Sequence, residues 1–403
     1  VQCAAQAVCE GLIMSDLDRC QSILADLIAF PTVSSESNLC AIHYIADRLE
    51  RAGARVEVLK DPSGTKANLF ATLGPERAGG LVLSGHTDVV PVADQPWSSD
   101  PFDMVERDGR LYGRGTCDMK GFIATCLTKL DTLKAATREH PIHFAFTHDE
   151  EVGCLGARDL VQVLKARDIR PAMALIGEPT QMRVIEGHKG CCEYTVTFTG
   201  VEGHGSAPEK GVNAIEYAVR YINRLLVLRQ VLIDRCPPHS RFDPPHTTIN
   251  IGGLHGGHAH NVIAGKATLE WEMRPTSLED YDLVQRDLAQ YVGDVLLPDM
   301  RAVAPQAEIT TEVIGEVAGL TPMDENAARD LLYRLTGANT ADVVPFGTEA
   351  GLFQEIGMSA VICGPGSIDQ AHKPDEYVER DQLCQAMAVL DRLGETYGRH
   401  DRD

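Results

Sequence analysis

Four short, mostly apolar runs in this chain each lead into a side chain that can hold a metal ion. Leu81–Gly85 leads into His86, and Ile142–Phe146 into the adjacent carboxylates Glu150 and Glu151. Ala174–Gly177 leads into Glu178, and Val361–Gly364 into a loop that carries His372. Runs this short and this apolar read as strands buried on both faces. Helical spacing fills the intervals: Leu17 to Ala29, Asn38 to Ala52, Gly121 to Ala135, Gly156 to Ala166, and segments from Glu325 and from Asp381. Arg55 to Leu59 and Asn68 to Leu73 add two short strands. The alternation predicts an α/β fold, a mixed or mostly parallel sheet flanked by helices.

Near Gly187 the pattern changes. Glu193 to Thr199 alternates, Asn213 to Leu228 is helical, and Thr247 to Ile251 and Ala264 to Met273 are strands across a Gly/His turn. A helix over Tyr281 to Val295 and a strand over Glu308 to Ile314 complete a strand-helix-strand-strand-helix-strand unit, the plan of a ferredoxin-like α+β domain. The expectation is therefore a catalytic domain of residues 1–186 and 314–403, with a lid or dimerisation domain of residues 187–313 inserted into it. A chain of 403 residues has room for both, and the cleft between them is a natural substrate site.

A net charge of −21 leaves no basic surface for phosphates and argues against nucleic acid as a partner. No apolar run approaches a membrane span. Val1–Gln2–Cys3–Ala4 lacks the features of a secretory leader. Met14 reads as a natural start, with residues 1–13 as an upstream extension, and a cytoplasmic location is expected. Twelve cysteines in a chain of this length, with no Cys-x-x-Cys pair, read as reduced, mostly buried thiols. Cys191 and Cys192 should point to opposite faces of one strand.

Ligands of open α/β sheets bind at the carboxyl ends of the strands, where His86, Glu150, Glu151 and Glu178 fall. Asp118 sits in the Gly-rich turn Gly113–Arg114–Gly115–Thr116–Cys117–Asp118. His86, Asp118, Glu151, Glu178 and His372 provide two metals with two terminal ligands each and one shared carboxylate. That donor set suits two Zn2+, with Co2+ or Mn2+ as substitutes. Two such ions lower the pKa of a water and polarise a carbonyl. Glu150, left free, then serves as the general base, and Asp88, two residues after His86, as the group that orients its imidazole.

These residues stand in stretches that resemble the M20 metallopeptidase family: Ser84–Gly85–His86–Thr87–Asp88–Val89–Val90–Pro91, Gly113 to Gly121, Asp149–Glu150–Glu151–Val152–Gly153 and Gly177–Glu178–Pro179–Thr180. Gly187–His188–Lys189–Gly190, Gly347–Thr348–Glu349–Ala350 and Cys363 to Tyr377 are most similar to its acetylornithine deacetylase branch. The resemblance covers nearly the whole chain from Met14. It implies His86 with Glu178 on one zinc and Glu151 with His372 on the other, or the reverse split, with Asp118 bridging and a cis Asp118–Met119 peptide. It also implies Glu150 as base and Asp88 as orienting acid. His204, in Gly203–His204–Gly205–Ser206–Ala207–Pro208, would reach across a homodimer to stabilise the oxyanion. Arg274 would pair with the substrate α-carboxylate, and Asn261 would hydrogen-bond the substrate. The implied activity is amide hydrolysis of a small N-acyl amino acid, N2-acetyl-L-ornithine first, as a step of arginine synthesis. A desuccinylase or dipeptidase of the same family is the alternative, and a non-catalytic metal-stabilised binding protein is the alternative of another class. His255, His258 and His260 have neither a helix-face spacing nor that of a ligand pair and read as a solvated turn.

Overall fold

The computed structural model describes residues 14–397; the proposed extension 1–13 lies outside the described residues. Its centre is an eight-stranded sheet in the order Arg55–Lys60, Ala67–Leu73, Ile142–Thr147, Leu81–His86, Met173–Pro179, Ser359–Gly364, Ile185–His188, Asp342–Val344. The four ligand-bearing runs are its four middle strands. They are mutually parallel and almost wholly buried, as continuous apolar runs require. The first two strands are antiparallel, so the sheet is mixed.

From Leu81–His86 the chain crosses to Ile142–Thr147 on one side, then to Met173–Pro179 on the other. A strand with its sequence successors on opposite sides is a topological switch point, where a crevice opens at the strand ends. The helices Asp16–Ile28, Lys120–Thr128, Ala327–Thr336 and Arg380–Tyr397 cover one face. Leu155–Ala166 and Ala350–Glu355 cover the other. The single helix expected over Gly121 to Ala135 is two, Lys120–Thr128 and Leu130–Ala136. The hydroxyls of Thr125 and Thr128 turn back onto the carbonyls of Phe122 and Ala124, a bonding pattern that loosens a helix.

The second sheet is fully antiparallel, in the order Thr248–Gly256, Lys266–Arg274, Cys191–Thr199, Glu308–Val317. With the helices Ala214–Asp234 and Leu278–Tyr291 packed on one face around Tyr194, Phe198, Tyr221 and Trp271, this is the ferredoxin-like arrangement. The strand from Cys191 alternates strictly, with Cys192 buried and Cys191 partly exposed on the other side. Six of the ten described cysteines are buried, and all ten are free thiols.

A small third sheet joins Val105–Arg107, Arg110–Tyr112 and Tyr377–Glu379. None of its three-residue strands is long enough to show periodicity in the sequence. It matters because it pins the loop carrying His372 against the turn carrying Asp118.

Candidate metal centre

The carboxyl ends of the middle strands bring seven side chains together. His86 is fully buried at the end of its strand. Its Nδ1 lies 2.9 Å from the main-chain oxygen of Asp88, an acceptor that keeps the hydrogen of a neutral imidazole on Nδ1 and leaves Nε2 to face the cluster. Nε2 lies 3.1 Å from Asp118 Oδ1 and 3.7 Å from Glu178 Oε1. The Nε2 of His372 lies 3.4 Å from Asp118 Oδ2 and 3.0 Å from Glu151 Oε2. Asp118 therefore turns one oxygen to the His86–Glu178 pair and the other to the His372–Glu151 pair. Two donors on one tetrahedral zinc, each about 2.0 Å from it, stand roughly 3.3 Å apart, and these separations bracket that value. Glu150 has an oxygen within 4.8 Å of donor atoms of His86 and Glu178.

The electrostatics fit a cation pair. Glu151 Oε1 and Glu178 Oε1 are buried and have no protein hydrogen-bond partner, a cost that a bound cation would offset. Burial, and then repulsion from Asp118, raises Glu178 well above the usual carboxylate range. Burial likewise pushes Glu150 up to about 8, with its neighbouring carboxylates adding to the effect. Burial opposes charge on His86, yet the hydrogen bond to Asp118 and the carboxylates around it raise its pKa well above that of a free imidazole. Asp118 and Glu151 raise His372 to about 10. Five largely buried carboxylates (Asp88, Asp118, Glu150, Glu151 and Glu178) thus meet the buried imidazole of His86 and the half-exposed one of His372. Two divalent cations held by His86, Glu178, Asp118, Glu151 and His372 would balance them.

The family model for peptidase family M20/M25/M40 matches residues 82–396. The chain belongs to the M20 peptidase family. It is 38% identical over 360 residues to an acetylornithine deacetylase of Klebsiella pneumoniae, covering 88% of this chain and 91% of that protein. The M20 metallo-carboxypeptidase Sso-CP2 of Sulfolobus solfataricus shares the fold at a TM-score of 0.69 and 16% identity, over 94% of this chain and 99% of that one. A Bacillus subtilis protein described as a dinuclear metal binding peptidase of the M20 family aligns at a TM-score of 0.59 and 18% identity, over 94% and 97% of the two chains. As an M20 chain it is a metal-dependent amidohydrolase.

In this M20 chain the Asp118–Met119 peptide is cis. The carboxylate of Asp88 lies 3.6 Å from His86 Nδ1, beyond hydrogen-bond length, and is engaged elsewhere. It accepts from Ser34 Oγ at 2.7 Å and from the main-chain N–H groups of Glu150 at 3.1 Å and Glu151 at 3.3 Å. Asp88 orients the imidazole through its carbonyl and the acidic pair through its carboxylate. The thiol of Cys154 donates to Glu150 Oε1 at 3.4 Å.

Several positioning residues escape a reading of motifs. Glu376 is buried four residues after His372. Its Oε1 accepts from the N–H groups of Cys117 (2.8 Å) and Asp118 (3.0 Å), and its Oε2 from Gly115 N–H (2.9 Å) and Arg114 Nη1 (2.7 Å). Arg114, equally buried, also donates to Gln95 Oε1 at 2.7 Å, and Gln95 Nε2 donates to the carbonyl of His372 at 3.0 Å. Lys66 donates to both oxygens of Asp149 at 2.6 and 2.7 Å and to the carbonyl of Ser34 at 2.5 Å. It thereby holds Asp149, at φ +55°, just before the acidic pair. His148 is buried with its Nδ1 3.3 Å from Asp149. The one sequence signal for this Arg114–Glu376 clamp is that both residues fall inside the family-like stretches Gly113–Gly121 and Cys363–Tyr377.

His204, Asn261 and Arg274 stand outside the seven. His204 and Asn261 meet on a two-stranded ribbon, where His204 pairs with Val262 and the carbonyl of Asn261 accepts from Gly205 N–H at 2.7 Å. His204 is exposed, with Nδ1 2.7 Å from Ser206 Oγ. Arg274 ends its strand bonded to Glu272 at 3.0 Å. None of the three has a hydrogen bond to the cluster. His255, His258 and His260 are exposed. No described helix is long and apolar enough to cross a membrane.

Proposed function

We propose that this enzyme hydrolyses the amide of an N-acetyl amino acid, N2-acetyl-L-ornithine first, to L-ornithine and acetate, a step of arginine synthesis in the cytoplasm. The observation that carries the reading is the division of Asp118, one oxygen toward His86 and Glu178 and one toward His372 and Glu151, with Glu150 beside them and outside both pairs. Two zinc ions, with cobalt or manganese as substitutes, supply a lowered water pKa and a polarised carbonyl when bound there. Glu150 accepts the proton of the attacking water and passes it to the departing amine. Its burial suits that task, because a base near neutrality can both take and return a proton. Asp88 keeps Glu150 in place through its main-chain N–H.

The substrate assignment is supported by the 38% identity to an acetylornithine deacetylase over most of both chains. Residues 187–313 act as lid and dimerisation domain on a catalytic domain of 1–186 and 314–403. In the homodimer, His204 of one copy donates to the oxyanion in the site of the other; its exposure and its lack of bonds to its own cluster support that role. The exposed apolar residues Val219, Val227 and Val231 of one helix offer a contact surface. Arg274 binds the α-carboxylate, and Asn261 hydrogen-bonds the substrate.

The test is release of free amine by the zinc-loaded protein from N2-acetylornithine, N-succinyl-diaminopimelate, N-acetylmethionine and dipeptides. Highest kcat/KM on N2-acetylornithine is expected. A higher value on the succinyl compound or a dipeptide moves the assignment to that branch. Two metal equivalents bound with no turnover on any of them leaves a binding protein.

A further inference from the structure

Glu349 is a buried carboxylate that the proposed reaction does not use. It is fully inaccessible, and no lysine or arginine among the described residues pairs with it. Its Oε1 accepts from Ser84 Oγ at 2.5 Å and its Oε2 from Thr147 Oγ1 at 2.8 Å. Ser84 and Thr147 lie on adjacent parallel strands. Ser84 stands two residues before His86, and Thr147 three before Glu150 and four before Glu151. One carboxylate therefore spans the two strands whose ends carry a candidate ligand on one side and the acidic pair on the other.

The loop that bears Glu349 is itself anchored. The hydroxyl of Thr348 lies 3.1 Å from His188 Nε2 and accepts from Ala350 N–H at 3.1 Å. His188 in turn holds Leu320 through a main-chain bond, His188 N–H to Leu320 O at 3.0 Å. The support behind the cluster is thus a chain of fixed groups rather than a free side chain.

A leucine would fill the same volume without the cost of taking a carboxylate out of water. What a side chain of this length with two polar terminal atoms provides, and leucine does not, is a hydrogen bond to each of two hydroxyls at once. We propose that Glu349 is a positioning residue for the metal centre: by tying Ser84 to Thr147 it sets the separation of His86 from Glu150 and Glu151. Ligands displaced by a fraction of an ångström lose metal affinity and turnover steeply, so the strand-to-strand distance needs such a stay. The proposal rests on the metal-dependent hydrolase reading.

The test compares Glu349→Gln, Glu349→Asp and Glu349→Leu, each loaded with Co2+. Glutamine keeps the reach, and its amide can still meet both hydroxyls. Aspartate keeps the charge and is one methylene too short to span them. The Gln variant is expected to hold Co2+ within about threefold of wild type, with the wild-type visible absorption spectrum. The Asp and Leu variants should bind the first Co2+ at least tenfold more weakly with a shifted spectrum, and lower kcat about 10–100-fold at nearly unchanged KM. Wild-type affinity and spectrum in Glu349→Leu would overturn the proposal. So would Asp retaining Co2+ better than Gln, a comparison that stands if the Leu variant does not fold. Should wild type cleave no N-acyl amino acid, the reaction assignment fails while the Co2+ measurements still decide the role of Glu349.

Discussion

The clamp between Arg114 and Glu376 offers a quantitative test of how the His372 loop is held. Both side chains are 1% exposed, and their 2.7 Å contact ties the Asp118 turn to the His372 loop across more than 250 residues of chain. Glu376→Gln leaves one acceptor oxygen for the N–H groups of Cys117 and Asp118. It turns an amide N–H2 toward two donors, Gly115 N–H and the guanidinium, and strands a buried cation. Breaking a buried pair from one side costs about 3–5 kcal/mol, and this variant belongs at the upper end, about 4–5 kcal/mol. Arg114→Met leaves the carboxylate three main-chain N–H donors and should cost less, about 3 kcal/mol. The double variant removes both charges, so its loss should fall short of the sum by roughly 2–3 kcal/mol.

The assay is urea unfolding of metal-stripped protein, followed by fluorescence. Trp97 lies against Arg114, with the guanidinium carbon 5.0 Å from the ring centroid. The chain's other tryptophan, Trp271, sits in the second sheet. A Trp271→Phe background makes Trp97 a local reporter of the clamp. Losses under about 1 kcal/mol for each single variant, or strict additivity in the double, would refute the reasoning, because the pair would then behave as a solvated ion pair.

Glu150→Gln should keep both metals, measured by elemental analysis, while kcat falls about 10²–10⁴-fold; near-normal turnover removes it as the base. Glu178→Gln relieves carboxylate crowding, so at pH 8 the metal-stripped variant should be more stable than stripped wild type by about 1–2 kcal/mol. The same variant should gain less from added Zn2+, and a stripped variant that melts lower would contradict the crowding. Burial lowers His143 to about 4 from an ordinary 6.5. The unfolded chain therefore takes up a proton below about pH 6.5 that the folded one refuses until about pH 4. Stability should fall across that window by at most roughly 3 kcal/mol, and His143→Gln should flatten the acid limb of the urea midpoint against pH. Lys66→Met should cost about 3 kcal/mol by leaving Asp149 buried without its cation; a melting temperature equal to wild type would show Asp149 to be supported otherwise.

Local pattern was enough to find the strands that carry the site. Apolar runs buried on both faces must lie inside a covered sheet, and a residue that follows such a run must emerge at the strand's end. His86, Glu150, Glu151 and Glu178 were legible for that reason, as was the change of pattern that announces the ferredoxin-like unit. The short strands Val105–Arg107, Arg110–Tyr112 and Tyr377–Glu379 were not, because three residues carry no measurable period. The loss of the helix at Lys129 also escaped, since threonine back-bonding depends on rotamers that spacing does not encode.

The amino-acid order by itself determined which side chains stand at strand ends, how many carboxylates are crowded there, and that the excess negative charge demands a cation. Only the tertiary structure decided which oxygen of Asp118 faces which histidine, that the Asp88 carboxylate holds the acidic pair while its carbonyl holds His86, and that Glu376, Arg114 and Glu349 are the supports. Those relations join residues tens to hundreds of positions apart, such as Ser84 with Glu349 and Arg114 with Glu376. Such distances are set by how the strands and loops pack, not by any property that neighbouring residues share.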